Sequence, residues 1–115
     1  MEINLFQPSE KKKKKKNTPV IEIGPGKGML TKYLLEKDYE LYVVEKDKES
    51  VVYLKENYPQ LSNKIIIGDI LQRDFNEFKE SGVVLISNLP YNISAPVMFT
   101  VYENRNIINE TVFML

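Results

Sequence analysis

From Pro19 onward, short apolar runs alternate with amphipathic stretches. Val20-Ile21-Glu22-Ile23 is a β-branched run that predicts a strand, and it ends in Gly24-Pro25-Gly26-Lys27-Gly28. Met29, Leu30, Tyr33 and Leu34 follow at helical spacing, so a helix is expected from about Gly28. Leu41 to Val44 predicts a second strand with Glu45 at its carboxyl end. Val51, Leu54 and Tyr58 mark one face of a second helix, which Pro59 stops. Ile65-Ile66-Ile67 predicts a third strand closed by Gly68-Asp69, and a weak helical segment is expected over 74–80. Val83 to Ile86 predicts a fourth strand running into Asn88-Leu89-Pro90-Tyr91. A helix is expected over 95–102, and a fifth strand begins at about Thr111. Alternating strands and helices, with strands apolar on both faces, imply a parallel sheet covered on both sides. Right-handed crossovers then bring every strand's carboxyl end to one edge, where ligands bind in open α/β sheets.

Composition narrows the chemistry. A chain of 115 residues makes one small domain, and 43% hydrophobic residues suffice for its core. With neither cysteine nor histidine, disulfides, thiolate metal sites, imidazole bases and Ser-His triads are all excluded. No spacing of acidic residues stands out as a metal-ligand set. No apolar run is long enough to span a bilayer and the N-terminus lacks an apolar signal core, so a soluble, cytoplasmic protein is expected. The formal net charge of zero hides an asymmetry: Lys11 to Lys16 hold six of the 16 basic residues, and from Asn17 onward 10 basic residues face 14 acidic ones. Residues 1–17 read as a disordered, lysine-rich leader, because like charges repel and no period buries a face. A solvated tail is the plainer role for that leader; contact with RNA phosphates is the sharper one.

Four polar elements fall at the predicted strand ends. The glycine turn lets backbone approach a ligand closely. A nicotinamide fingerprint would place its third glycine three residues after the second, at Met29; here it is Gly28, two residues on, and Pro25 stiffens the turn. That form favours a ligand made of methionine and a nucleoside over a pyrophosphate, with a purely structural turn as the alternative. Glu45, 19 residues beyond Gly26, can accept hydrogen bonds from ribose hydroxyls, although its charged neighbours also fit an ordinary surface acid. Asp69 can accept from an adenine amino group, or can simply close a Gly-Asp turn.

Asn88-Leu89-Pro90-Tyr91 is the most specific signal. An adenine amino nitrogen is a poor nucleophile, since its lone pair is delocalised into the ring. The Asn88 side-chain oxygen and the Leu89 or Pro90 carbonyl can take its two N–H groups and draw the nitrogen towards tetrahedral geometry. Pro90 stiffens the backbone, and Tyr91 offers a face for a flipped base. Such a site works by positioning and electrostatics, without a titrating base. A helix-initiating turn is the bland alternative.

Taken in order, these elements resemble the small-subunit ribosomal RNA adenine N6-dimethyltransferases. The resemblance covers Pro19 to Leu115. It rests on residues Ile21 to Gly28, on Val44-Glu45-Lys46-Asp47, on Gly68-Asp69, and on the eight residues from Ser87 to Ser94. It implies a Rossmann-like class I S-adenosylmethionine-dependent methyltransferase fold with an incomplete parallel sheet, so that 18–115 form a partial S-adenosylmethionine-binding domain. It further implies that Gly24 and Gly26 line the methionine moiety, Glu45 holds the ribose and Asp69 meets the cofactor adenine. Asn88, beside the cofactor, receives the target adenine with Leu89, Pro90 and Tyr91. The implied partner is rRNA or the small ribosomal subunit, with no membrane; the oligomeric state stays open. Related enzymes act on large-subunit rRNA, but Leu89 leans towards the small-subunit branch, and Ser94 favours an rRNA adenine dimethyltransferase over a related N6-adenine or protein-amide methyltransferase. Residues 1–18 show no clear match to the family's basic opening helix, and the chain stops where the family continues into further strands and an RNA-binding domain. A fragment is therefore expected, with its fifth strand as an unpaired edge. A non-catalytic remnant is the competing reading.

Overall fold

The computed structural model describes residues 2–6, 18–88 and 91–114, with side chains for 18–88 and 95–114. Six strands form one sheet in the order β1-β6-β5-β2-β3-β4. They are β1 (Glu2–Phe6), β2 (Pro19–Ile23), β3 (Glu40–Glu45), β4 (Ile65–Ile67), β5 (Val83–Asn88) and β6 (Ile108–Met114). Strands β2 to β6 are mutually parallel, while β1 runs antiparallel to β6. The helices are α1 (Met29–Leu35), α2 (Lys48–Asn57) and α3 (Tyr91–Glu103). No helix among the described residues is long and apolar enough to cross a membrane.

The alternating pleat explains the two-sided core. Ile21 and Ile23 of β2 point to one face and pack with Phe75, Phe113 and the α3 residues Val97 and Val101. Val20 points to the other, with Leu34 of α1, Val43 of β3 and Leu54 of α2. From β2 the chain steps outward through β3 to β4, then crosses back to place β5 on the other side of β2. The carboxyl ends of β2 and β5 therefore flank the point where the winding direction reverses, the favoured ligand crevice of such sheets.

Four sequence expectations are corrected. Residues 1–17 were expected to be disordered throughout, yet Glu2–Phe6 form β1, with a register irregularity between Asn4 and Phe6. Ile3 and Leu5 alternate with Glu2 and Asn4, a period too short to stand out ahead of the lysine run, and pairing covers the β6 edge that was expected to stay open. The lysine run itself lies outside the described residues. The segment 74–80 makes only a 3-10 turn at Asn76–Phe78. Phe75 and Phe78 are both buried, and a single turn suffices to bury residues three apart. Helix α3 begins at Tyr91, four residues earlier than expected, which leaves Pro96 inside it. Strand β6 begins at Ile108, three residues earlier than expected.

Candidate functional site

The carboxyl edge of the sheet assembles around the turn from Gly24 to Gly28. All three glycines there have positive φ, at 63°, 57° and 87°. That conformation strains any residue with a Cβ, so the glycine spacing is a backbone requirement. The Gly24 N–H donates to the Val44 carbonyl at 2.9 Å, which ties the start of the turn to β3. A Cβ on Gly24 or Gly26 would meet nothing within 4 Å among the described residues, so the backbone here is open to a ligand.

Glu45 ends β3 and is only 7% exposed. Its Oε1 accepts from the Gly26 N–H and its Oε2 from the Asp47 N–H, both at 3.0 Å. Each oxygen keeps a further lone pair for a ligand hydroxyl. Asp69 follows β4 and caps a 3-10 turn at Ile70–Gln72, with Oδ1 accepting from the Leu71 N–H at 2.9 Å. Its Oδ2 has no partner among the described residues. Glu45 and Asp69 lie on one cavity with Gly24 and Lys46, walled for the most part by apolar side chains such as Ile23, Val44 and Val97. A mainly apolar slot edged by two carboxylates, one of them with an open acceptor, can take a flat ligand that carries hydroxyl and amino donors.

A second cavity adjoins it. Asn88, exposed at the end of β5, lines it together with Glu22, Pro25, Lys27, Met29 and again Gly24. Gly24 is thus common to both cavities. Of the remaining predicted site residues, Tyr91 opens α3, while Leu89 and Pro90 lie outside the described residues. The structure therefore brings Gly24, Gly26, Glu45, Asp69 and Asn88 to one edge.

Three contributors were not singled out from the sequence. Glu22, 2% exposed, accepts a short hydrogen bond from the Thr31 hydroxyl. Burial raises its carboxyl to a pKa of about 7, against the lowering effect of the Thr31 bond and with a smaller push from the Glu45 charge. A charged residue inside the apolar run Val20 to Ile23 was the available signal. Ser87 is fully buried, and its hydroxyl donates to the Ile23 carbonyl at 2.6 Å. It continues the contact between β2 and β5 one step past their last ladder pair, Glu22 with Ile86. Tyr58 donates to the Gly28 carbonyl at 3.3 Å.

Residues 4–115 match the family model described as ribosomal RNA adenine dimethylase. The chain belongs to that family. Members of the ribosomal RNA adenine dimethylase family similar to this chain include ribosomal RNA small subunit methyltransferase A of Parabacteroides distasonis. That relative is 45% identical over 93 residues, which are 81% of this chain and 35% of the relative. The protein of the same name from Flavobacterium johnsoniae is 48% identical over 92 residues, 79% of this chain and 35% of the relative. Among solved structures, a dimethyladenosine transferase from Plasmodium falciparum superposes with a TM-score of 0.65 at 28% identity, over 86% of this chain and 36% of that one. The chain spans about a third of the length of the curated relatives it matches. The fold is that of S-adenosylmethionine-dependent methyltransferases, and the family match extends the likeness upstream of Pro19, to residue 4.

Proposed function

We propose that this chain supplies the cofactor-binding and amino-activating edge of an S-adenosylmethionine-dependent adenine N6-dimethyltransferase acting on small-subunit rRNA. The observation that carries the reading is the placement of Glu45, Asp69 and Asn88 on two cavities that share Gly24, in a chain of this family. When bound, the cofactor supplies an electrophilic methyl group on a sulfonium. Glu45 would accept from the ribose hydroxyls with the lone pairs left over from the Gly26 and Asp47 amides. Asp69 would take the adenine amino group on Oδ2. The open backbone at Gly24 and Gly26 would leave room for the methionine portion.

Across Gly24, the Asn88 side-chain oxygen would accept one N–H of the target adenine, with Leu89 or Pro90 offering a carbonyl for the other and Tyr91 a stacking face. The proton shed after transfer needs no dedicated base, because a methylated amino group that carries an extra proton is strongly acidic. The partner on this reading is rRNA or the small ribosomal subunit, and the place of work the cytoplasm. Calorimetric titration of the purified chain with S-adenosylmethionine, beside Glu45→Ala, tests the cofactor half. Saturable binding that the variant loses supports it; absence of binding by the wild-type chain sinks it and leaves the non-catalytic remnant.

A further inference from the structure

Three consecutive residues of the glycine turn are each tied to a side chain outside it. The Gly26 N–H is held by Glu45, the Lys27 Nζ lies 6.0 Å from the centre of the Tyr53 ring, and the Gly28 carbonyl accepts from Tyr58. The Lys27 contact joins two exposed side chains at the outer limit of such interactions and contributes little. The Tyr58 contact is different in kind. A Cβ on Gly28 would lie 2.7 Å from Tyr58 Cε2, so the ring rests directly against the glycine backbone.

Tyr58 is itself held in place. It caps the carboxyl end of α2 with its N–H on the Leu54 carbonyl, accepts at its own carbonyl from the Leu61 N–H, and packs against the cluster that contains Leu54 and Leu61. On the other side of the contact, the Gly28 carbonyl also accepts the Lys32 N–H at 2.9 Å, the bond that starts α1. The Tyr58 hydroxyl and the first turn of α1 therefore share one acceptor.

We propose that Tyr58 is a positioning residue for the glycine turn. Its ring and hydroxyl fix the Gly28 peptide, and through it the join between the turn and α1, from the carboxyl end of α2. The functional consequence rests on the proposed cofactor role of that turn: a loosened Gly28 would let the Gly24 to Gly26 backbone drift from the shape the methionine portion needs.

The test uses the whole chain with Tyr58→Phe, Tyr58→Ala, Gly28→Ala and the double variant, read by amide hydrogen exchange without ligand and by titration with S-adenosylmethionine. Tyr58→Phe keeps the ring and loses only the hydroxyl. Exchange at Gly28 and Lys32 is expected to quicken by about twofold to tenfold, the worth of one hydrogen bond, with the strand amides of β2 and β3 unchanged. Cofactor affinity should fall in the same range. Gly28→Ala should cost less affinity in the Tyr58→Ala background than in the wild type, because the ring it would strike is gone. Wild-type exchange at Lys32 in Tyr58→Phe would overturn the proposal, as would purely additive losses in the double variant. Should Tyr58→Ala fail to fold, the Tyr58→Phe exchange still decides. Should the wild-type chain not bind cofactor, the functional reading falls, while the exchange data independently decide whether Tyr58 sets the turn.

Discussion

Glu45 and Gly26 are joined by a 3.0 Å hydrogen bond from the glycine N–H to the buried carboxylate. On the proposed reading, the residue that would hold the ribose thus also holds the turn that would face the rest of the cofactor. Glu45→Ala should accordingly damage two things at once. Losing the bonds to Gly26 and Asp47 is expected to cost about 2 kcal/mol of stability, read from urea unfolding. Cofactor affinity should fall by about tenfold or more, since both the ribose acceptor and the turn geometry go. Unchanged affinity would show that Glu45 is a structural tie alone.

Gly24 should separate binding from stability. Its φ of 63° strains an alanine, at a cost of about 1–2 kcal/mol, but an added Cβ meets no atom of the described residues within 4 Å. Gly24→Ala is therefore expected to fold and to lose cofactor binding, because the methyl group would project where both cavities meet. Retained binding, measured by calorimetry, would remove Gly24 from the ligand's path.

Glu22 gives a pH dependence with a definite sign. Its folded pKa of about 7 lies above the ordinary value of 4.5, so the folded state holds the proton more tightly than the unfolded one. The contribution is full below about pH 4.5 and is lost as the pH rises through about 7. The full excursion is about 3 kcal/mol. Glu22→Gln keeps an acceptor for Thr31 and cannot ionise. Unfolding free energies of the two proteins, compared from pH 4.5 to 8, should diverge in favour of the glutamine variant as the pH rises. Parallel curves would show that Glu22 is not buried as a neutral acid.

Asn88 and Ser87 are neighbours with separable roles. Asn88→Ala should leave cofactor affinity within about twofold and cut methyl transfer to small-subunit rRNA by about 100-fold, the usual scale for one lost electrostatic contact to a reacting group. Incorporation of labelled methyl groups, in a preparation that transfers them, measures this. Ser87→Ala leaves the Ile23 carbonyl without its hydroxyl partner and is expected to cost about 1–2 kcal/mol of stability in a thermal melt. Full transfer by Asn88→Ala would refute the amino-activation mechanism.

Much of this arrangement was legible because each site residue ends an apolar run. Ile65-Ile66-Ile67 could only be a strand, so Asp69 could only lie beyond its carboxyl end, and the same holds for Glu45 after Leu41 to Val44. The helix expected over 95–102 starts at Tyr91 and carries Pro96 in its interior, an extension that the apolar spacing did not mark. The supports of the site were not legible. Ser87 meets Ile23 across 64 residues of chain and Tyr58 meets Gly28 across 30, contacts that no local period announces. Glu22 was visible as a misfit in an apolar strand, but its partner Thr31 sits on the buried side of a helix whose apolar residues drew the attention.

The pairing of β1 with β6 bears on the order in which the molecule assembles. Glu2 lies opposite Met114, so β1 leaves the ribosome early and must wait for a strand more than a hundred residues further along the chain before it has a partner. Closing that large loop costs chain entropy that more local contacts such as β2 with β3 do not. Strand β1 should therefore dock late in folding and be the first to fray on unfolding. During synthesis its six-lysine follower would help keep it soluble while it waits.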